Sequence, residues 1–300
     1  MQHLFPLRLV EAIAKAGSIR AAAAELSITP SALNRRLLSI EEELDAPLFE
    51  RTTVGVRLNA AGELFISHAR RQMADMDRVR SQIEDLKGAR RGRISVAIDD
   101  GLRASGRFAS LLSRYQAEHP GVTFSVNKIR SSQIADQLAD YSADLGFALW
   151  PTLDNSVTLA TSAPICLHAL VHEAHPLTRL DTVRLDQFVG FPCVVPGMNG
   201  ALRMLLDAAV SKKNLSYRAI FEGPIECAYD RISNSDAVGL EADMAGADTV
   251  VGTGKVRIPL RADDFPRAFA HVVQLRGRTL SIAASRFAEM VKLEFAGFDS

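Results

Sequence analysis

Apolar residues recur at helical spacing from the start of the chain. Leu7, Val10 and Ile13 form one stripe, and Gly17 follows where a helix ends in a left-handed residue. Ser18 caps a second predicted helix through "IRAAAAEL", whose alanines favour helix and are small enough for another helix to cross closely. Thr29 and Pro30 supply the cap and first residue of a third helix, in which Leu33, Leu37, Ile40 and Leu44 are spaced to face inward. Two helices joined by a turn this short form a helix-turn-helix. "PLFERTTVGVRLN" then holds two strand-like runs around Gly55, a hairpin-like wing, and Asn59 caps a long helix through about Leu86. Along it Ile66, Ala69, Met73, Met76 and Ile83 recur at threes and fours, the seam of a coiled coil, with Arg80 interrupting. A helix of roughly 28 residues is a rod on the order of 40 Å long with little core of its own. Pairing with a second copy is its expected use, and the basic "KGARRGR" beyond it reads as a hinge.

From Ile94 the pattern changes to alternating strands and amphipathic helices. "RISVAI", "GVTFSVNKI", "ICLHALVH", "FPCVVP" and "YRAIFEG" read as strands, and "GRFASLLSRYQAEHP" as a helix. "SSQIADQLADYSADLGFAL" reads as helix then strand, residues from about Gly200 to Ser211 as a helix, and "LSIAASRFAEMVKLEF" as the closing helix. Such alternation predicts an α/β architecture with a parallel sheet.

The 300 residues, 47% of them hydrophobic, suffice for about two domains with real cores. Lys and Arg number 35 and Asp and Glu 35, so no global field draws the chain to nucleic acid, and any such contact depends on local placement. No apolar run approaches the roughly 18 residues of a membrane helix. The amphipathic start is unlike a secretory signal, and three scattered cysteines suit a reducing cytoplasm.

Local placement is where "SITPSALNRR" stands out. Opposite its apolar stripe the third helix carries Ser31 and Arg35, with Asn34 beside them and Arg36 toward the flank. Small residues at the helix start permit close approach to base edges, and arginines bind guanine or phosphate. Arg51 and Arg57 flank the wing, within reach of a sugar-phosphate backbone. Through Leu58 there are seven basic and seven acidic residues, which predicts only modest non-specific DNA binding.

Other motifs weigh less. His172, Glu173 and His175 fall one residue short of the zinc-protease spacing, and His168 and His172 share a strand face without a third ligand. "GTGKVR" lacks the spacing of a phosphate loop and reads as a turn. No nucleophile elbow is present, and Ser105, Asp99 and His119 are the kind of set any chain this size offers. No catalytic residue, metal or cofactor is expected.

The stretch "GSIRAAAAELSITPSALNRRLLSIEEELDAPLFERTTVGVRLNAAG" resembles the amino-terminal domain of LysR-type transcriptional regulators. The matching positions are Gly17, Ser18, Ala21, Ala22, Pro30, Ser31, Ala32, Glu41, Leu48, Phe49, Glu50, Arg51 and Gly62. "EHPGV", "ADLGFAL" and "HPL" extend the likeness more loosely along the chain. It departs at Asn34, where serine is usual, at Asp45, where glycine is usual, and at Asn59, which exchanges one helix cap for another. The glycine-rich turn of the family reads "NSDAVGLEADM" here.

The resemblance implies a winged helix-turn-helix over residues 1–58, a linker and dimerisation helix over 59–91, and an effector-binding domain over 92–300. That domain is expected to be two Rossmann-like α/β lobes like those of a periplasmic binding protein, lobe 1 from about 92–162 and 267–300, lobe 2 from about 163–266. Base contacts are expected from Ser31, Ala32, Asn34 and Arg35, and phosphate contacts from Thr29, Arg36, Arg51 and Arg57. Carried over position by position, the effector candidates are Asp100, Ser131, Ser132, Met198 and Asn199. The pair Asp99-Asp100 suggests an effector with a cationic or hydroxyl group rather than a simple carboxylate. Implied partners are promoter DNA, a small-molecule effector, a second or further copy of the chain, and RNA polymerase, in the cytoplasm and away from membrane. The competing reading is a cytoplasmic solute-binding or enzymatic α/β protein whose amino-terminal helices only mediate oligomerisation.

Overall fold

The structure, a computed structural model, describes residues 4–53, 55–86, 91–102, 106–149, 155–224, 227, 231–232, 236–244 and 254–297. "GTGKVR" in part, most of the hinge and Ser105 lie outside them. The chain divides into two compact units, Met1–Ile83 with Asp140–Ser142, and Glu84–Ala139 with Ala143–Ser300.

The first unit opens with α1 (Phe5–Ala16), α2 (Ile19–Glu25) and α3 (Pro30–Glu43). Each boundary has a local cause. Gly17 ends α1 at φ 61°, the Ser18 hydroxyl accepts the Ala21 N–H, and the Thr29 hydroxyl accepts the Ala32 N–H at 3.2 Å. Leu9, Val10, Ile13, Ala22, Ala23, Leu33 and Leu37 form the core between the three helices. Leu44 does not join them. It is 44% exposed because α3 has already ended there, and Asp45 turns left-handed at φ 49°. The Asp45 and Ala46 N–H groups return to the Glu42 and Glu41 carbonyls, a helix stop that usually takes glycine, at a conformational cost of about 1–2 kcal/mol.

Strands β1 (Phe49–Thr52) and β2 (Gly55–Leu58) pair antiparallel as the wing, and Val56 N–H donates to the Gly17 carbonyl. Helix α4 (Ala60–Leu86) follows, its first turn capped by Asn59, whose Oδ1 accepts the Gly62 N–H at 2.9 Å. The expected seam divides along its length. Ile66 and Ala69 are buried in the core of the head and Met73 packs against it, whereas Ile83 is 45% exposed and Val79, beside the seam, 40%. The first half of the stripe therefore closes the head, and only the second half is open to a partner.

The second unit contains β3 (Arg91–Asp99), α5 (Arg107–Glu118), β4 (Gly121–Ile129), α6 (Ser131–Ala139), β5 (Leu145–Ala148) and β6 (Val157–His172). After a short 3-10 turn (Pro176–Arg179) come α7 (Leu185–Val189), β7 (Pro192–Val195), α8 (Ala201–Lys212), β8 (Arg218–Glu222), β9 (Val238–Met244), β10 (Lys255–Pro259), β11 (Phe269–Leu275) and α9 (Ile282–Ala296). The nine strands run in the order β4-β3-β5-β11-β6-β9-β7-β8, with β10 on β6. The long β6 serves two lobes, its first half pairing with β11 and its second with β9 and β10.

Strands β4-β3-β5 and β8-β7-β9 are parallel, as helix crossovers dictate, but β11, β6 and β10 run antiparallel to their neighbours. A strand that enters directly from the other lobe arrives from the cleft end, and so against the direction of strands returned by a helix. The sheet is mixed for this reason. On the first lobe α5 and α9 cover one face, where the Tyr115 hydroxyl donates to the Ala283 carbonyl at 2.8 Å, and α6 covers the other through Ile134 and Leu138.

"NSDAVGLEADM" is not a turn through its latter part, since Val238–Met244 is a wholly buried strand. Its carboxylates Glu241 and Asp243 mask that from the sequence. They are tolerated because the equally buried Arg257 of β10 reaches across β6, 3.1 Å from Asp243 and 3.7 Å from Glu241.

His175 caps the 3-10 turn. Its Nδ1 accepts the Leu177 N–H at 3.1 Å, so Nε2 carries the proton and donates to the Asp236 carbonyl at 3.1 Å. Burial holds this imidazole below the ordinary value of 6.5, and lowers His271 likewise. Because the unfolded chain then binds more protons, the stability these rings contribute is present above about pH 6.5 and is lost as pH falls through their folded values. The melting temperature should drop between pH 7.5 and 5.5, and a His175→Gln/His271→Gln variant should lose much of that slope. Equal slopes in variant and parent would contradict the assignment.

Candidate functional site

Two surfaces collect the residues singled out above. On the head, burial of Leu33 and Leu37 turns the opposite side of α3 to solvent. Thr29, Ser31, Arg35 and Arg36 are exposed there, and Ala32 and Asn34 half-buried between them. The Thr29 and Ser31 hydroxyls lie 3.2 Å apart, a polar pair at the helix start. Arg35 stands clear of any ion pair among the described residues, whereas the Arg36 guanidinium sits over the Phe5 ring, 4.6 Å from its centre. Glu41 is structural, since its Oε1 accepts the Leu48 N–H at 2.7 Å and ties the end of α3 to the start of the wing. On the wing Arg51 is exposed, and Arg57 pairs at 2.5 Å with Glu50 directly across the ladder.

In the second unit a cavity of about 390 Å³ opens between the lobes. One wall holds Asp100, Gly101, Lys128 and Arg130, and the other Pro196, Gly197, Met198, Gly200, Leu202, Gly223 and Pro224. The lobes meet closely beside it. A Cβ on Gly101 would lie 2.8 Å from that of Leu202, and Leu102 bridges to Ala242.

Asp99, at the end of β3, is fully buried and is not among the residues that line the cavity. Its Oδ1 accepts the Gly101 N–H at 2.8 Å, and its Oδ2 accepts the Ser131 N–H at 2.9 Å and the Ser131 hydroxyl. Burial pushes its carboxyl above the usual carboxylate range, against the pull of these bonds. The Ser131 oxygen in turn accepts the Leu149 N–H at 3.1 Å, so this serine is occupied in holding three strand and helix ends together.

Of the five effector candidates, then, Asp100 and Met198 line the cavity, whereas Ser131 is buried and Ser132 and Asn199 exposed, none of the three among the lining residues. Lys128 and Arg130 were overlooked. Their signal was the alternation in "NKIR", which puts both side chains on one side of a strand that ends at the cleft.

Residues 4–63 match the family described as bacterial regulatory helix-turn-helix protein, lysR family, and residues 87–296 match the LysR substrate binding domain. The chain belongs to the LysR family. It is a LysR-type transcriptional regulator, with a DNA-binding helix-turn-helix and an effector-binding domain of two α/β lobes. Similar proteins include the HTH-type transcriptional regulator YybE of Bacillus subtilis, 25% identical over 97% of this chain and 98% of that one. The transcriptional activator CmpR of Synechocystis is 23% identical over 95% of this chain and 93% of its own. Full-length CbnR, in a crystal structure with its target DNA, superposes with a TM-score of 0.69 at 18% identity, covering 97% of this chain and 99% of CbnR.

Other polar groups of the regulator have structural roles. His172 Nδ1 accepts the Ala174 N–H at 3.2 Å, and His175 is spent on its cap. Among the described residues no three or more His, Cys, Asp or Glu side chains gather as a metal site, and no helix is long and apolar enough to cross a membrane. Cys193 is buried and its thiol is pushed up to about 12, while Cys166 and Cys227 are exposed.

Proposed function

We propose that α3 is the recognition helix, with Ser31, Ala32, Asn34 and Arg35 meeting base edges in the major groove, and Thr29, Arg36, Arg51 and Arg57 holding phosphates. The observation that carries this reading is the face itself. A helix fixed by two buried leucines presents a hydroxyl pair and an unengaged arginine to solvent, with a wing beside it. Arg36 on Phe5 and Arg57 on Glu50 are oriented in advance, as backbone contacts should be, although Arg57 must exchange Glu50 for phosphate. The head then spans residues 1–58 and the linker 59–91, where the exposed half of the α4 seam pairs two copies on an interrupted palindrome. Residues 92–300 take the effector between lobe 1 (92–162 and 267–300) and lobe 2 (163–266). As a DNA-binding regulator it acts in the cytoplasm and performs no catalysis of its own.

Effector binding changes DNA bending and polymerase access only if the ligand binds one arrangement of the protein more tightly than another. The test of the recognition helix is Arg35→Ala in an anisotropy titration on an operator fragment. Affinity for the operator should fall about ten- to hundred-fold, the roughly 1–3 kcal/mol of a good base contact, while binding to unrelated DNA changes little. Unchanged operator affinity would remove Arg35 from the interface.

A further inference from the structure

We propose that Leu38 meets the C5-methyl group of a thymine in the major groove, and so adds a thymine to the operator sequence that this regulator selects. This rests on the reading of α3 as the recognition helix. Packing of the head does not account for a leucine at this position. The core takes Leu33 and Leu37 from α3, with Ile40 packed against it, and Leu38 stands outside that core, 48% exposed.

Helical geometry sets its place. At about 100° per residue, Leu38 lies within about 60° of Ser31, Asn34 and Arg35 around the axis, on the half turned from Leu33 and Leu37. It follows Arg35 by three residues, about 4.5 Å along the axis, or about one to two base-pair steps of B-DNA. Glu42 is exposed on the same face one turn later, and its carboxylate repels phosphate. Leu38 is therefore the last residue of this face that a groove can approach closely. Ahead of it stand a hydroxyl, an amide and a guanidinium, which answer the hydrogen-bonding edges of bases. A leucine answers none of those. The one apolar group that base pairs present in the major groove is the thymine methyl, and contact between the two shelters both from water. An apolar partner protein fits the face poorly, because covering Leu38 would also bury the polar groups of Ser31, Asn34 and Arg35 without partners.

The test is selection from a pool of duplexes with a random core, on the full-length parent, Arg35→Ala, Leu38→Ala and Leu38→Met. Leu38 is exposed, so all four proteins should melt together. The parent should select a core with a thymine within about two base pairs of the position that Arg35→Ala relaxes. Leu38→Ala should relax that thymine alone, and Leu38→Met, with an apolar chain of similar reach, should keep it. Deoxyuridine in place of the thymine in one half-site removes only the methyl. Parent affinity should then fall about four-fold, the worth of one buried methyl group, while that of Leu38→Ala stays nearly unchanged. If Arg35→Ala relaxes the core, but deoxyuridine at every selected thymine is tolerated by the parent or equally harmful to Leu38→Ala, only this proposal falls. If Arg35→Ala and Leu38→Ala both select the parent's core, the recognition helix falls with it. A parent that selects no common core also overturns both. Leu38→Ala with the parent's core but an altered oligomeric state in light scattering assigns the leucine to a protein contact and overturns the proposal.

Discussion

Replacing Gly62 with alanine is expected to destabilise the DNA-binding head by about 2 kcal/mol and to weaken operator binding. Gly62 lies in the first turn of α4, where the helix rests on the Pro47–Leu48 backbone. The Asn59 N–H donates to the Leu48 carbonyl at 3.0 Å and its side-chain amide to the Pro47 carbonyl at 2.8 Å. A Cβ on Gly62 would fall 2.1 Å from the Leu48 carbonyl oxygen and 2.8 Å from a Leu58 methyl. The first of these is backbone and cannot swing aside. Alanine would gain about 1 kcal/mol in helix propensity, but overpacking typically costs about 1–3 kcal/mol, and a 2.1 Å approach to fixed backbone belongs at the upper end, so the clash wins. The wing would be displaced with the Leu48 backbone, and Arg51 and Arg57 with the wing. Circular dichroism melts and an operator-binding assay check this, with Gly197→Ala as a substitution into open space. A Gly62→Ala protein with parental melting and affinity would show that α4 does not rest where it is placed here.

The second large effect is expected at Asp99. Its carboxylate is the common acceptor for two backbone amides and a buried hydroxyl, joining the end of β3 to the start of α6. Asp99→Ala leaves those donors buried without an acceptor, at about 1–3 kcal/mol each, and the loss should total about 4 kcal/mol. Asp99→Asn should recover only part of it, because an amide can accept on one side but must point its own hydrogens at donors on the other. Acid does not reproduce the variant. A carboxyl whose folded value is raised favours the fold below its unfolded value and loses that contribution as pH rises through the folded one. Urea unfolding at pH 7 of the parent and both variants measures the loss. A change below about 1 kcal/mol in Asp99→Ala would mean the donors find other acceptors.

Much of this was legible in residue order because the signals were local. Ser18, Thr29 and Asn59 start helices through bonds made within three residues, and Gly17 and Asp45 end them by backbone handedness. The face of α3 followed from the spacing of Leu33 and Leu37. What escaped depended on distant partners. Whether Ile66 and Ala69 face a second copy or the core of their own head is decided by how α4 meets the three preceding helices, not by the stripe itself. Glu241 and Asp243 disguised a buried strand because the charge that answers them, Arg257, comes from another strand. Ser131 and Asp100 were both offered as ligand contacts, and only tertiary structure separates them, since Asp99 occupies the serine and leaves the second aspartate to the cavity. Lys128 and Arg130 became meaningful once β4 was placed beside β3.

The central claim is that the exposed face of α3 reads DNA sequence, and the most direct measurement is sequencing of fragmented genomic DNA retained by the purified regulator, with and without metabolite extract. The account predicts enrichment of an interrupted palindrome near a promoter, lost when Arg35→Ala is used as the bait. Retained DNA without a common sequence, or the same palindrome recovered by Arg35→Ala, would contradict it.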